Sequence, residues 1–311
     1  MPDVPLGPGR ERMRPLLRAA LSEATWSSHG KAWAEWLGCA AGQVWLTQEV
    51  CNATTWAFLE KLRVQGASAA VAKKRLAGVS FMLRLWGLPD VTKDLALQLV
   101  LRGWKKEVVK RDARRAISFI LLQQLLGSLS GLCSSPYEIR LFHAAFSLAF
   151  FGALRVGELV AASRSAPPGL RIADVVVLSD SLRIFIRKSK TDIYANGAWL
   201  SVFSLQGPYC PVGIVRQYKQ SLPLSASSAP SSHFLVHEDK SPLTKFQFVS
   251  MLKKCLFVAG LNPTEFGTHS FRIGAATVAD SLGMPGESVK RIGRWASDCY
   301  KRYVRPNLLC Y

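Results

Sequence analysis

Apolar residues recur at helical spacing through the first third of the chain, and a mixed pattern replaces them after residue 116. Ser22 precedes a run in which Trp26, Trp33, Trp36 and Leu37 recur at that spacing. A second run holds Trp56, Phe58, Leu59 and Leu62. A third carries Val71, Leu76, Val79, Met82, Leu83 and Trp86 and closes at Gly87 before Pro89. A fourth covers about 90–110 with Leu95, Leu97, Leu99, Val100 and Trp104. Four helices with short joins predict a compact bundle whose tryptophans fill its core. Residues 1–15, a mixture of Pro, Gly, Arg and Glu, read as a flexible basic arm.

Beyond residue 116 the spacing predicts helices near 117–130, 136–151 and 157–163. Strand-like runs follow at 170–178, 182–187 and 198–203, the last two flanking a turn that contains Ser189, Lys190, Thr191, Asn196 and Gly197. Cys210-Pro211 opens another helix, and 222–232, rich in Ser, Pro and Ala, reads as a surface loop. Helices near 244–259, 269–283 and 286–294 complete the pattern. The expected fold class is an all-α bundle at 16–108, a basic linker at 109–116, and a second domain at 117–311. That second domain is mixed α+β, mainly helical, with a small antiparallel sheet.

A chain of 311 residues accommodates two such domains, and 49% hydrophobic against 20% charged residues supports a buried core. That excludes a disordered chain and a small disulfide-stapled module. The formal charge is +19, with both halves basic: residues 1–115 hold 19 basic and 10 acidic side chains, residues 116–311 hold 21 and 11. Such an excess points to a polyanion, nucleic acid before an acidic membrane. Lys105, Lys106, Lys110, Arg111, Arg114 and Arg115 crowd the linker, where they are expected to cross a phosphate backbone. Lys73, Lys74 and Arg75 share the third helix and fit the same role, or a solvated face. Seven cysteines with no Cys-x-x-Cys pair argue against a disulfide framework and a zinc site. The longest apolar candidate, 141–154, is bounded by Arg140 and Arg155 and falls short of the ~20 residues a membrane helix needs. With no apolar stretch in the first fifteen residues, an intracellular protein is expected.

The chain has neither a phosphate-cradling glycine loop nor the carboxylate clusters of two-metal hydrolysis, so no metal and no cofactor are expected. It offers cations, a histidine and tyrosines. His269-Ser270-Phe271-Arg272 opens a helix and places His and Arg on one face, where both can meet a single phosphate. Arg155 ends an apolar helix, a costly place without an anion or a paired carboxylate, and Glu158 is the nearby candidate partner. Gly293-Arg294-Trp295-Ala296-Ser297-Asp298 leads to Tyr300, Tyr303 and Val304-Arg305-Pro306, and Arg187-Lys188-Ser189-Lys190-Thr191 forms the hairpin turn.

In this order the motifs resemble the tyrosine recombinases of the phage-integrase type. The ending Gly-Arg-Trp-x-Ser-x-x-Tyr-x-x-Tyr-Val-Arg looks most like recombinases of eukaryotic mobile elements, the DIRS-like and Crypton groups. The resemblance covers nearly the whole chain. It implies a helical core-binding (SAM-like) DNA-binding domain at 16–108 and a catalytic domain at 117–311. It further implies a metal- and ATP-independent DNA recombinase or integrase in which Tyr303 attacks the scissile phosphate to give a 3′-phosphotyrosyl intermediate. Arg155 and Arg272 would hold the non-bridging oxygens, Lys190 would protonate the leaving oxygen, His269 would hydrogen-bond the phosphate, and Trp295 would fill the place of a second histidine. Glu158 would orient the site. Trp295 to Tyr303 is eight residues where about nine is usual in the family, so Tyr300 remains a rival nucleophile, as Lys188 does for Lys190. The implied partner is double-stranded DNA, met by a tetramer on two sites, with no membrane or small-molecule substrate, in the nucleus. The chain ends eight residues after Tyr303, where many relatives continue into a helix docking on a neighbouring subunit, so coupling through another surface or weak assembly is expected. Two other readings stand beside this one: a domesticated DNA-binding protein without strand exchange, and a single-strand topoisomerase of the same chemistry.

Overall fold

A computed structural model describes residues 12–40, 42, 46–107, 114–189, 192, 196–223, 231–295 and 297–305. The chain divides into two compact units, Met1–Arg111 and Asp112–Tyr311.

The first unit is helical: α1 (Arg14–Ala19), α2 (Glu23–Leu37), α3 (Gln48–Val64), α4 (Ala69–Trp86) and α5 (Leu95–Glu107), with a 3₁₀ turn at Val91–Lys93. Ser22, Thr47 and Ser68 start α2, α3 and α4 by accepting the N–H three residues on, which satisfies one of the donors a helix leaves open. Gly87 ends α4 in the left-handed region at φ 71°. Trp36, Phe58, Leu76, Met82, Leu97 and Trp104 build the core, and the Trp36 indole N–H donates to Thr55 at 3.0 Å.

Two expectations change here. The segment expected as an arm already contains the start of α1, which is tied down where the Trp26 indole donates to the Arg18 carbonyl at 2.9 Å. Trp56 is 40% exposed. The buried face of α3 runs through Cys51, Thr55, Phe58 and Leu62, and two residues turn a helix by roughly 200°, which carries Trp56 away from Phe58.

The second unit surrounds its core with α6 (Phe119–Ser128), α7 (Pro136–Phe151), α8 (Val156–Leu159), α9 (Pro211–Gln220), α10 (Lys245–Val258), α11 (His269–Ser281) and α12 (Gly286–Gly293). Strands β1 (Val175–Val177), β2 (Ser181–Ile186) and β3 (Ala198–Phe203) form one antiparallel sheet in the order β1-β2-β3. Leu182 faces Val177 and Val202, and Ile184 faces Val175 and Leu200, so one face of the sheet joins the core.

Two local readings are corrected. The helix expected at 157–163 is the single turn α8, because Val160 goes extended and the Ala161 N–H donates to Leu243. The run at 170–178 yields only the three residues of β1. Ile172–Asp174 is a 3₁₀ turn held by the buried Asp174 carboxylate, which accepts the Arg171 N–H and the Arg187 guanidinium.

Helix α11 is buried from Ser270 through Thr277. Gly274 permits this: a Cβ there would fall on the carbonyl oxygen of Ile117, and the Ile117 N–H bonds back to Ser270. Among the described residues no helix is long and apolar enough to cross a membrane. The same residues hold no group of three or more His, Cys, Asp or Glu suited to a metal.

Candidate active site

Helix α7 stops at Phe151, and the chain reverses through Gly152 and Ala153, the latter at φ 41°. Arg155 therefore caps the start of α8 and does not end the apolar helix, which keeps its side chain 21% exposed. Glu158 is its carboxylate partner: Oε1 accepts from the Arg155 guanidinium at 2.7 Å, and Oε2 accepts the Arg155 backbone N–H at 2.9 Å. A carboxylate three residues into a helix is well placed for the second bond.

Helix α11 carries His269 and Arg272. Arg272 has no solvent exposure. Its two terminal nitrogens donate to main-chain oxygens, Nη1 to Ala153 and Nη2 to Gly293 at 3.1 Å. These bonds join α11 to the turn before Arg155 and to the end of α12. Burial, then the charges of Arg155 and Arg294, lower its pKa from the usual guanidinium value to about 10.

After α12 the chain turns at Arg294, at φ 53°, and the Trp295 ring folds back over Gly293, where a Cβ would collide with it. The Arg272 guanidinium carbon lies 4.8 Å from the Trp295 ring centroid and 5.6 Å from that of Tyr303. Tyr303 also meets Trp295 at 5.2 Å and His269 at 6.5 Å between centroids. Thr277 of α11 pins this segment, donating to the Tyr303 carbonyl and accepting the Arg305 N–H. Tyr300 reaches Trp295 at 6.3 Å, yet its hydroxyl packs over Gly286 at the start of α12.

Arg155, Glu158, His269, Arg272, Trp295 and Tyr303 thus share one neighbourhood in the second unit. Two guanidinium groups, Arg155 and Arg294, pair with the single carboxylate of Glu158, and the charge of a third, Arg272, is felt beside them, while Trp295 Nε1 and Arg272 Nε are buried without an acceptor among the described residues. Surplus positive charge and idle donors out of water suit an anion. Sequence reasoning passed over Arg294 and Thr277. Arg294 had one available signal, a cation between a glycine and an aromatic residue, and Thr277 had none.

Lys190 lies outside the described residues, as do Lys110 and Arg111; Lys188 is exposed. Lys73 and Lys105 line a groove with Arg102 at the start of α4, and Lys74 and Lys106 are exposed. Arg75 is ion-paired with Glu35. Arg114 is exposed, whereas Arg115 pairs with Glu265 at 3.1 Å and lies over Phe266.

No family model and no curated protein matches the sequence. Solved structures do resemble it. The Tn1549 transposon integrase in complex with circular intermediate DNA is 12% identical at a TM-score of 0.65, over 95% of this chain and 93% of that one. A lambda integrase dimer bound to a COC′ core site is 14% identical at 0.60, over 95% and 75%. The XerH site-specific recombinase bound to its palindromic difH substrate is 15% identical at 0.52, over 82% of this chain and 66% of that one. The fold is integrase-like. At these identities the likeness concerns architecture, the two-domain, mostly helical integrase-like fold with its small antiparallel sheet. The integrase-like fold of the second unit is what brings side chains from residues 155 to 303 onto one site.

Proposed function

We propose that the chain is a site-specific DNA recombinase that cleaves and rejoins duplex DNA through a covalent bond to Tyr303. The observation that carries this reading is the phenol of Tyr303 set against the buried Arg272 guanidinium, with His269 and Trp295 around it. The Tyr303 oxygen attacks the scissile phosphorus, a new O–P bond forms, and the bond to the 5′-oxygen breaks in line. Arg155 and Arg272 hold the non-bridging oxygens, whose charge persists through the transition state. The Trp295 indole N–H donates to the same phosphate. The phenolic proton passes to His269 or water, and Lys190 (or Lys188) returns a proton to the leaving oxygen. The phosphodiester energy stays in the phosphotyrosyl bond, so rejoining requires neither ATP nor metal. Each unit contributes basic surface to duplex DNA. Assembly as a tetramer on two sites, origin in a mobile element of the DIRS-like or Crypton kind, and residence in the nucleus belong to the same reading.

A nicked suicide duplex carrying the recognition site, recovered from end sequences of the parent element, tests it. The expected result is a protein–DNA adduct stable in detergent and mapped by mass spectrometry to Tyr303. Binding without an adduct would instead support a DNA-binding protein that performs no strand exchange.

A further inference from the structure

Arg294 is absent from the chemistry above, yet it is bound into the centre of the site. Its Nη2 donates to Glu158 Oε2 at 2.7 Å and its Nη1 to the Gly152 carbonyl at 3.3 Å, with the side chain 11% exposed. Glu158, at 5%, is thereby shared: one oxygen faces the Arg155 guanidinium, the other faces Arg294 and the Arg155 N–H. A carboxylate bonded to Arg155 alone would retain freedom to turn, and the second guanidinium removes it. The backbone carries a matching signal. Among the described residues three non-glycine positions have positive φ, and two of them are Ala153 and Arg294. Both border this site, and their neighbourhoods are tied together by the Arg294 bond to Gly152 and the Arg272 bonds to Ala153 and Gly293. Left-handed backbone at such residues persists where surrounding contacts over-determine it, and it gathers at functional sites.

We propose that Arg294 is a positioning residue of the anion site: by sharing Glu158 and bracing the turn at Gly152 and Ala153, it aims the remaining N–H groups of Arg155 at the phosphate. The proposal rests on the phosphate-binding reading of the site. Arg294 touches no reacting atom in this scheme. Its effect passes through Glu158 to Arg155, so the two arginines behave as one unit, whereas a purely structural Arg294 acts on the fold independently of Arg155.

Orthovanadate, a tetrahedral oxyanion, reads the site without any DNA sequence. Its binding to the full chain is followed by ⁵¹V NMR for the wild type, Arg155→Ala, Arg294→Ala, the double variant and Arg294→Lys, with thermal unfolding alongside. Arg294→Ala is expected to weaken binding about tenfold, a typical coupling between charged neighbours. The double variant should match Arg155→Ala within about twofold, the scatter of independent sites. Arg294→Lys should recover part of the loss. If Arg294→Ala binds like the wild type, or if the two losses multiply, the positioning role is wrong while the phosphate site stands. Absence of binding by the wild type overturns the phosphate reading itself and the positioning role with it. Should Arg294→Ala fail to fold, Arg294→Gln, which keeps a donor, takes its place with the same two outcomes.

Discussion

Arg272 and Tyr303, 31 positions apart in sequence, make a cation–π contact: the guanidinium carbon lies 5.6 Å from the phenol ring centroid, on a side chain with no solvent exposure. Of the two tyrosines that the sequence offers as candidate nucleophiles, Tyr303 is the one that makes this contact. Tyr303 stands beside the cations, and Tyr300 turns its hydroxyl onto Gly286.

Tyr303→Phe is accordingly expected to abolish the covalent adduct on a suicide duplex while leaving duplex affinity nearly unchanged. Tyr300→Phe is expected to keep the adduct. Gel analysis in detergent checks both, and an adduct formed by Tyr303→Phe would refute the nucleophile.

Burial, with Arg155 and Arg294 nearby, lowers the Arg272 pKa to about 10. The unfolded chain then binds a proton more tightly than the folded one, so the fold gains stability from this group as pH rises above about 10 toward the ordinary guanidinium range. At neutral pH Arg272 is charged and burdens the fold, and a bound anion offsets that burden. In ¹³C-arginine NMR the Arg272 guanidinium carbon should titrate near pH 10 in the free protein and move upward with orthovanadate. A signal that stays flat to pH 12 contradicts the effect.

Gly274→Ala tests the contact beneath α11. The new methyl meets the Ile117 backbone, which cannot yield as a flexible side chain can. Destabilisation of about 1–3 kcal/mol or more is expected, as for other overpacked sites. Urea unfolding measures it, and a neutral result would place Ile117 elsewhere.

In the first unit, Lys73 and Lys105 line one groove. Each Lys→Ala change should reduce the slope of log affinity for duplex DNA against log salt by about 0.9, one phosphate contact apiece. Arg75→Ala should change it less, because Glu35 already neutralises that guanidinium. Fluorescence anisotropy from 50 to 200 mM salt spans the range in which such slopes are steep. Equal effects at all three positions would contradict the assignment.

Helix starts were readable because they depend on neighbours in the chain. Ser22 ahead of its apolar run is such a start, and it caps the helix by accepting the Thr25 N–H. The sheet was readable from alternation in β2 and β3. Where the reading failed, a distant contact had intervened. The strand expected at 170–178 was shortened by a buried Asp174 that pairs with Arg187, and the helix after Glu158 ended where Ala161 bonded Leu243. Trp56 needed only its angle relative to Phe58 to be placed outside.

By itself, then, the sequence determined the kinds of elements, the basic charge of both halves and the stock of arginine, histidine and tyrosine side chains available to a site, since these follow from composition and from spacings within a few residues. The tertiary structure alone decided which tyrosine faces the cations and that Glu158 serves two arginines. Arg294 stands 136 positions from Glu158, and no local rule links residues so far apart. Their meeting depends on α11 burying itself against Ile117 and on the bonds that Arg272 makes to the turns on either side. Close packing of the second unit, acting through backbone contacts, assembles the site.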